Sequence, residues 1–219
     1  MTRVLALADE VHEPLYGPEV RSLCPDLVVA CGDLPFDYLE YIVTMTNVPL
    51  VYVPGNHDPD LSRRAPGPDQ PPIMSAPIAD LLVDPPGPQG CINVDGCVLE
   101  VAGATMAGLG GSIRYSAGPN QYSQNEMTWR ALRLEFRYRR RLRGRRRMDL
   151  LVTHSPPFGV GDGRDPAHVG FKAFRRLVHE LAPRVLVHGH VHPYGSPSGE
   201  DFMGPTKIVN AVAYKMLEV

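Results

Sequence analysis

Short apolar runs recur along the chain, and each stops abruptly at a polar cluster. "VLALAD" ends at Asp9, "DLVVACGD" at Asp33, and "PLVYVPGNHD" at Asn56, His57 and Asp58. Further on, "MDLLVTH" ends at His154 and "RVLVHGHVH" at His190 and His192. The runs before these tips are continuous and do not alternate, the pattern of strands buried on both faces. Helical patterns fall between them, over roughly 36–46, 123–143 and 167–182. Strand and helix signals that alternate in this way predict an α/β fold.

Other stretches look antiparallel. "INVDGCVLEV" places Asp95-Gly96 between two short apolar runs, which predicts a β-hairpin. "KIVNAVAYKMLEV" reads as two more strands meeting near Asn210 or Ala213. The expected sheet system is therefore mixed, with more than one sheet. Residues 59–77, "PDLSRRAPGPDQPPIMSAP", are too rich in proline for regular structure. They directly follow the "GNHD" tip and are a candidate lid over a site there; the plainer reading is a surface loop. No internal repeat or linker divides the chain, so 1–219 reads as a single domain.

Composition narrows the class only a little. With 219 residues, 43% hydrophobic and 21% charged, the chain can bury a full core, and a net charge of −2 points to no polyanionic or cationic partner. No apolar run reaches the roughly 18 residues that span a membrane. Asp9 interrupts the N-terminal apolar run, so no signal peptide is expected and the compartment is read as cytoplasmic. Cys24, Cys31, Cys91 and Cys97 form no C-x-x-C pair, which argues for reduced thiols over a thiolate zinc site. Cys91 and Cys97 flank the expected hairpin and could face each other, but two core thiols are the preferred reading.

The strand tips carry the chemistry. Ligands of open α/β sheets bind at the carboxyl ends of the strands. Asp and Asn are also ordinary turn residues, and a single histidine is commonly structural. Five successive tips of metal-capable residues are not explained by turns. Asp9 and Asp33 offer charged oxygens, Asn56 an amide oxygen, and His154, His190 and His192 imidazole nitrogens. Such a mixed set suits Mn, Fe or Zn better than Ca or Mg. His190 and His192, two apart, would face opposite ways on a strand, so they would serve different ions or sit in a turn.

These ordered motifs (Asp9, "GD" at 32–33, "GNHD" at 55–58, "TH" at 153–154 and "GHVH" at 189–192) resemble the calcineurin-like metallophosphoesterases. "THSPPFG" followed by "HVG" is similar to the diesterase-type branches. The resemblance implies a four-layer αββα sandwich of two mixed sheets flanked by helices. It also implies two divalent ions in one site and hydrolysis of a small phosphoester, a phosphodiester by preference, through a water activated between the ions. By motif position Asp33 would bridge the ions, Asp9 and His192 would complete the first, and Asn56, His154 and His190 the second. His57 would donate a proton, with Asp37 or Asp58 as its carboxylate partner. Two cations about 3.5–4 Å apart neutralise charge on a transferring phosphoryl group, and a histidine titrates in the range needed to protonate a leaving alkoxide.

The chain departs from that pattern at one ligand. The first motif is normally Asp-x-His, but here Asp9 is followed by Glu10, Val11 and His12. Val11 cannot bind a metal. Either His12 swings in, or water fills the place, or only one ion is held tightly. A non-catalytic metal-binding scaffold of the same fold is thus the competing reading. The ten arginines between 130 and 147 keep a nuclease as a further alternative, with nucleic acid the less favoured partner and a solvated helix face the plainer account. In the glycine-rich stretch 108–122, Arg114 is a candidate for holding a substrate phosphate, or is paired with a surface acid. His168 could reach the site or merely start a helix, while His179 and His188 read as structural.

Overall fold

The structure, a computed structural model, describes residues 1–61, 87–142, 147–193 and 201–219. From residue 62 onward the candidate lid lies outside the described residues, as do 143–146 of the arginine-rich segment. Two large sheets form the centre. The first has the order β13-β1-β2-β3-β4, built from β1 (Arg3–Ala8), β2 (Leu27–Ala30), β3 (Leu50–Tyr52), β4 (Cys91–Asn93) and β13 (Ala213–Glu218). Its strands are parallel except for β13, which pairs antiparallel with β1.

The second sheet has the order β11-β12-β10-β9-β6-β5. Its members are β5 (Val98–Val101), β6 (Ala104–Leu109), β9 (Leu150–Thr153), β10 (Val185–His188), β11 (Asp201–Met203) and β12 (Thr206–Asn210). The four central strands are parallel and both edge strands antiparallel. A short pair, β7 (Ser112–Ile113) and β8 (Gln121–Tyr122), stands apart.

Three apolar layers explain why the strand runs are continuous. Alternate residues of the two sheets meet between them: Val4, Ala6, Val29 and Val51 from one, Met106, Val152, Val187 and Val209 from the other. The intervening residues of the first sheet, among them Leu5, Leu7, Val28 and Leu50, pack with Tyr38, Leu39 and Ile42 of helix α2 (Phe36–Thr46); the short α1 (Glu19–Ser22) adds Val20. Those of the second, such as Leu109, Leu151, Leu186 and Ile208, pack with helices α3 (Gln124–Leu142) and α4 (Lys172–Leu181). Both faces of each central strand are therefore dry, and a fully buried Val or Leu contributes about 1.5–3 kcal/mol relative to exposure. The result is the expected αββα sandwich of two mixed sheets flanked by helices.

Two local expectations are corrected. Cys91–Asn93 and Val98–Val101 do not form a hairpin: β4 joins β3 in the first sheet, whereas β5 joins β6 in the second. Asp95-Gly96 is where the chain crosses between sheets. The Asp95 carboxylate accepts the Gly110 amide at 2.7 Å and two bonds of 2.6 Å from Arg130. The hairpin lies one turn later, at Ala102-Gly103, where both residues are left-handed (φ 49° and 76°). Cys91 and Cys97 consequently pack in different layers, and all four cysteines are free.

Helix α4 starts at Lys172 and not near 167. Residues before it are captured by the loop after β9, with the Phe171 amide donating to Pro156 O at 3.1 Å and the Phe158 amide to Phe171 O at 3.2 Å. No described helix is long and apolar enough to cross a membrane.

Candidate metal centre

The carboxyl ends of β1, β2, β3, β9 and β10 meet at one end of the sandwich. Asp9, Asp33, His154 and His190 each present one ligand-capable atom there, and these atoms lie within 4.8 Å of one another. The backbone is bent sharply to achieve this. Asp9, Asp33 and His190 all have positive φ (58°, 57° and 68°). Around Asp9 and around His190 the chain closes three-residue turns, through Glu10 N to Ala8 O at 2.6 Å and Val191 N to Gly189 O at 2.8 Å. Positive φ is costly for a residue with a Cβ and concentrates at functional sites. Glycine permits the close approach that goes with it. A Cβ on Gly55 would lie 2.0 Å from Asp33 Oδ1, and one on Gly189 would lie 2.1 Å from Asp9 Oδ2.

The hydrogen bonds assign the ring atoms. His154 is fully buried, and its Nδ1 donates to Cys31 O at 2.7 Å. Its Nε2 faces Asn56 Oδ1 at 3.0 Å and Asp33 Oδ2 at 3.3 Å. Both of those oxygens accept, so without a metal the ring needs a second proton. Burial opposes that charge, but hydrogen bonding and attraction to Asp33, with Asp9 adding to it, raise His154 to about 9. A metal cation held between Nε2 and these two oxygens would satisfy the same three atoms in place of that proton.

His190 is the opposite case. Its Nε2 donates to Ala167 O at 2.8 Å, leaving the Nδ1 lone pair as its ligand atom. Burial, then the charge of His154, lower it to about 3, so it stays neutral. Burial pushes the Asp9 carboxyl up in spite of His154. Desolvation raises Asp33 too, but its bond to the His154 ring holds its carboxyl below the usual range. The donor set, two carboxylates, two imidazoles and an adjoining amide oxygen, fits a borderline divalent ion.

The remaining expected residues are placed as follows. Asn56 Nδ2 donates to the Tyr115 hydroxyl at 3.1 Å, which aims Oδ1 at His154. His192 lines the same cavity of about 490 Å³ but lies outside the four-residue group, and its Nδ1 bonds Glu10 Oε1 at 2.8 Å. Val11 packs against the helix-side apolar layer, and the His12 ring lies 4.6 Å from that of Tyr214. In this arrangement His12 is turned to Tyr214, and the residue turned toward His192 is Glu10.

Two further expectations are corrected. Asp58 does not orient the His57 ring: its Oδ2 accepts the backbone amides of Asp33 (3.0 Å) and Gly55 (2.7 Å), pinning two strand tips together. Asp37 accepts the Tyr38 amide at 2.9 Å at the start of α2. The His57 amide donates to Asp33 Oδ1 at 2.8 Å, while its exposed ring lines the cavity with no hydrogen-bond partner among the described residues. Arg114 does not line the cavity; it pairs with Glu126 at 2.8 Å, the plainer of its two readings.

Tyr115, one position on, faces the cavity instead, and Asn120 clasps the GNHD turn through Gly55 O (2.9 Å) and Asp58 O (3.1 Å). Only their place in the glycine-rich stretch could have flagged either. The arginines of α3 are partly committed: Arg130 to Asp95, and Arg139 to Glu135 and Glu180. A depression of about 640 Å³ along α4 is no rival site, because its Arg175 and Arg176 are tied to Phe158 O and Glu135.

Two mixed sheets packed face to face, with carboxylates and imidazoles converging where their strands end, define an αββα protein with a group able to hold metal. Residues 4–194 match the family described as calcineurin-like phosphoesterase, and the chain belongs to that family. No curated protein sequence matches it. Among solved structures, one crystal structure aligns with TM-score 0.62 at 17% identity, over 96% of this chain and 90% of the other. The crystal structure of TT1561 of Thermus thermophilus aligns with TM-score 0.59 at 16% identity, over 96% and 88%. At such identities the likeness shows the fold.

Proposed function

We propose that the chain is a metal-dependent phosphoesterase acting on a small phosphodiester at this centre. The observation that supports this reading most directly is the convergence of ligand-capable atoms of Asp9, Asp33, His154 and His190 within 4.8 Å of one another, with Asp9, Asp33 and His190 lining a cavity. Asp9, Asp33, His154, His190 and Asn56 would hold divalent ions, manganese, iron or zinc, with His192 beside them. Bound there, such ions supply Lewis-acid charge for a phosphoryl oxygen and lower the pKa of a water.

The protein's own groups do the rest. Cys31 O and Ala167 O fix the tautomers of His154 and His190, so the ring atoms are set before a ligand arrives. Asp58 and Asn120 hold the GNHD turn against the Asp33 turn. Tyr115 keeps the amide oxygen of Asn56 directed inward. The His57 ring lines the cavity wall and would serve there as proton donor to the leaving oxygen.

Turnover of bis-p-nitrophenyl phosphate and p-nitrophenyl phosphate by metal-stripped protein, reloaded with Mn²⁺, Fe²⁺ or Zn²⁺, tests the reading. Metal-dependent turnover favouring the diester, lowered about 10²-fold or more in His57→Ala, is expected. Metal binding without turnover of either ester would favour the scaffold reading.

A further inference from the structure

We propose that the outward face of α3 is a docking surface for an anionic lipid membrane. The inference does not depend on the phosphoesterase reading. Helix α3 is buried along Met127, Ala131, Leu134 and Tyr138, which recur every three or four residues and pack on the second sheet. On the opposite side Trp129 and Phe136, seven residues apart, are each 65% exposed. A shallow trough of about 500 Å³ joins them, with Leu132, Arg133, Arg137 and Arg140 as its other lining residues. None of these six lines the metal cavity. An exposed apolar patch rimmed by polar groups marks an interaction surface.

The charge on this face has one sign. Between Gln124 and Leu142 the helix carries six arginines and two acids. Glu126 is turned to Arg114, and Glu135 lies on the buried side, bound to Arg139 and Arg176. Arg133, Arg140 and Arg141 have no hydrogen-bond or ion-pair partner among the described residues. Charge complementarity therefore calls for an anionic occupant. A second copy of this chain does not fit, because a two-fold contact would set these arginines against one another.

An anionic bilayer fits both halves of the pattern. Tryptophan, leucine and phenylalanine on one helix face enter the headgroup layer, while arginines beside them meet lipid phosphates. A nucleic acid strand would stack on the rings and pair with the arginines, but it leaves Leu132, between the rings, without a role. Adsorption of this kind needs no membrane-spanning segment.

Trp129 is the single tryptophan of the protein, so its fluorescence reads the contact directly. The whole chain is titrated with phosphatidylcholine vesicles, with and without phosphatidylglycerol, and separately with a single-stranded oligo-dT. Emission and co-sedimentation are followed. A blue shift and co-sedimentation are expected only with the phosphatidylglycerol vesicles, and high salt should abolish both. Phe136→Ala should weaken partitioning at least about tenfold. Arg133→Gln combined with Arg140→Gln should weaken it about 25-fold, at about fivefold per arginine. Phe202→Ala, which removes a side chain 60% exposed on β11, should partition like wild type. Circular dichroism should be unchanged in all variants, because the altered side chains face solvent.

No blue shift and no co-sedimentation with the anionic vesicles would overturn the proposal. So would equal binding to phosphatidylcholine alone, or a loss in Phe202→Ala as large as in Phe136→Ala. Tighter binding to oligo-dT than to the vesicles, with quenching and no blue shift, would overturn it in favour of a nucleic-acid surface.

Discussion

Asp58 offers a sharp test of how the centre is held. Its side chain is one of two candidates, with Asp37, for orienting His57, and it accepts two backbone amides through a single oxygen, Asp33 N at 3.0 Å and Gly55 N at 2.7 Å. The residue is 7% exposed, so Asp58→Ala strands two buried donors. Each unsatisfied buried group costs about 1–3 kcal/mol. The cavity beside them admits water that can satisfy part of the loss, so a destabilisation of about 2–4 kcal/mol is expected.

Asp58→Asn behaves differently. Burial raises the Asp58 carboxyl above its usual range in spite of the two amides. The ionised form is thus no better off folded than unfolded, and its charge contributes no net stability at neutral pH. An asparagine Oδ1 retains both bonds and avoids burying charge, so its cost should stay within about 1 kcal/mol.

Urea unfolding measures both. With an m value of about 3 kcal/mol/M, a 3 kcal/mol loss lowers the midpoint by about 1 M at unchanged slope. Alanine within about 1 kcal/mol of wild type would refute the pinning role. Asparagine as damaging as alanine would show that charge, and not an acceptor, is what matters. Normal stability with equal loss of turnover in both would return Asp58 to a catalytic role.

Two further outcomes follow from the packing. Gly189→Ala places a methyl 2.1 Å from Asp9 Oδ2, the oxygen that accepts the His190 amide at 2.8 Å, so a titration with Mn²⁺ should show affinity at least about tenfold weaker with little change in circular dichroism; unchanged affinity would mean that Asp9 is not a ligand. With a thiol reagent near pH 8, exposed Cys24 should react first, Cys91 slowly because burial and then Glu40 push its thiol up to about 11, and buried Cys31 only on unfolding; early labelling of Cys31 would contradict the packing between the sheets.

Much of the site was legible because its ligand-capable residues sit at chain positions that strand geometry itself marks. An unbroken apolar run means a strand buried on both faces, and the residue where it stops is where the chain leaves the sheet. That reasoning located Asp9, Asp33, Asn56, His154 and His190 without any contact being known. It failed where a choice between partners was needed. Asp95-Gly96 looks like a hairpin turn, but β4 has a parallel partner in β3 and β5 an antiparallel one in β6, and only sheet assembly chooses between those pairings. Residues 167–171 have helical character locally, but their backbone groups are claimed by Pro156, Phe158 and Asp162 across the loop.

The alternation of apolar runs and helical patterns determined an α/β fold, and the strand tips marked a set of metal-capable residues, because both depend on local pattern. Tertiary structure alone decided which polar atoms pair. It turned Glu10 and not His12 toward His192, gave Asp58 to two amides and not to His57, tied Arg114 to Glu126, and placed His168 on the cavity wall. The physical reason is that a hydrogen bond selects whichever partner the packed layers bring within about 3 Å, and that distance is set by elements far apart in the chain.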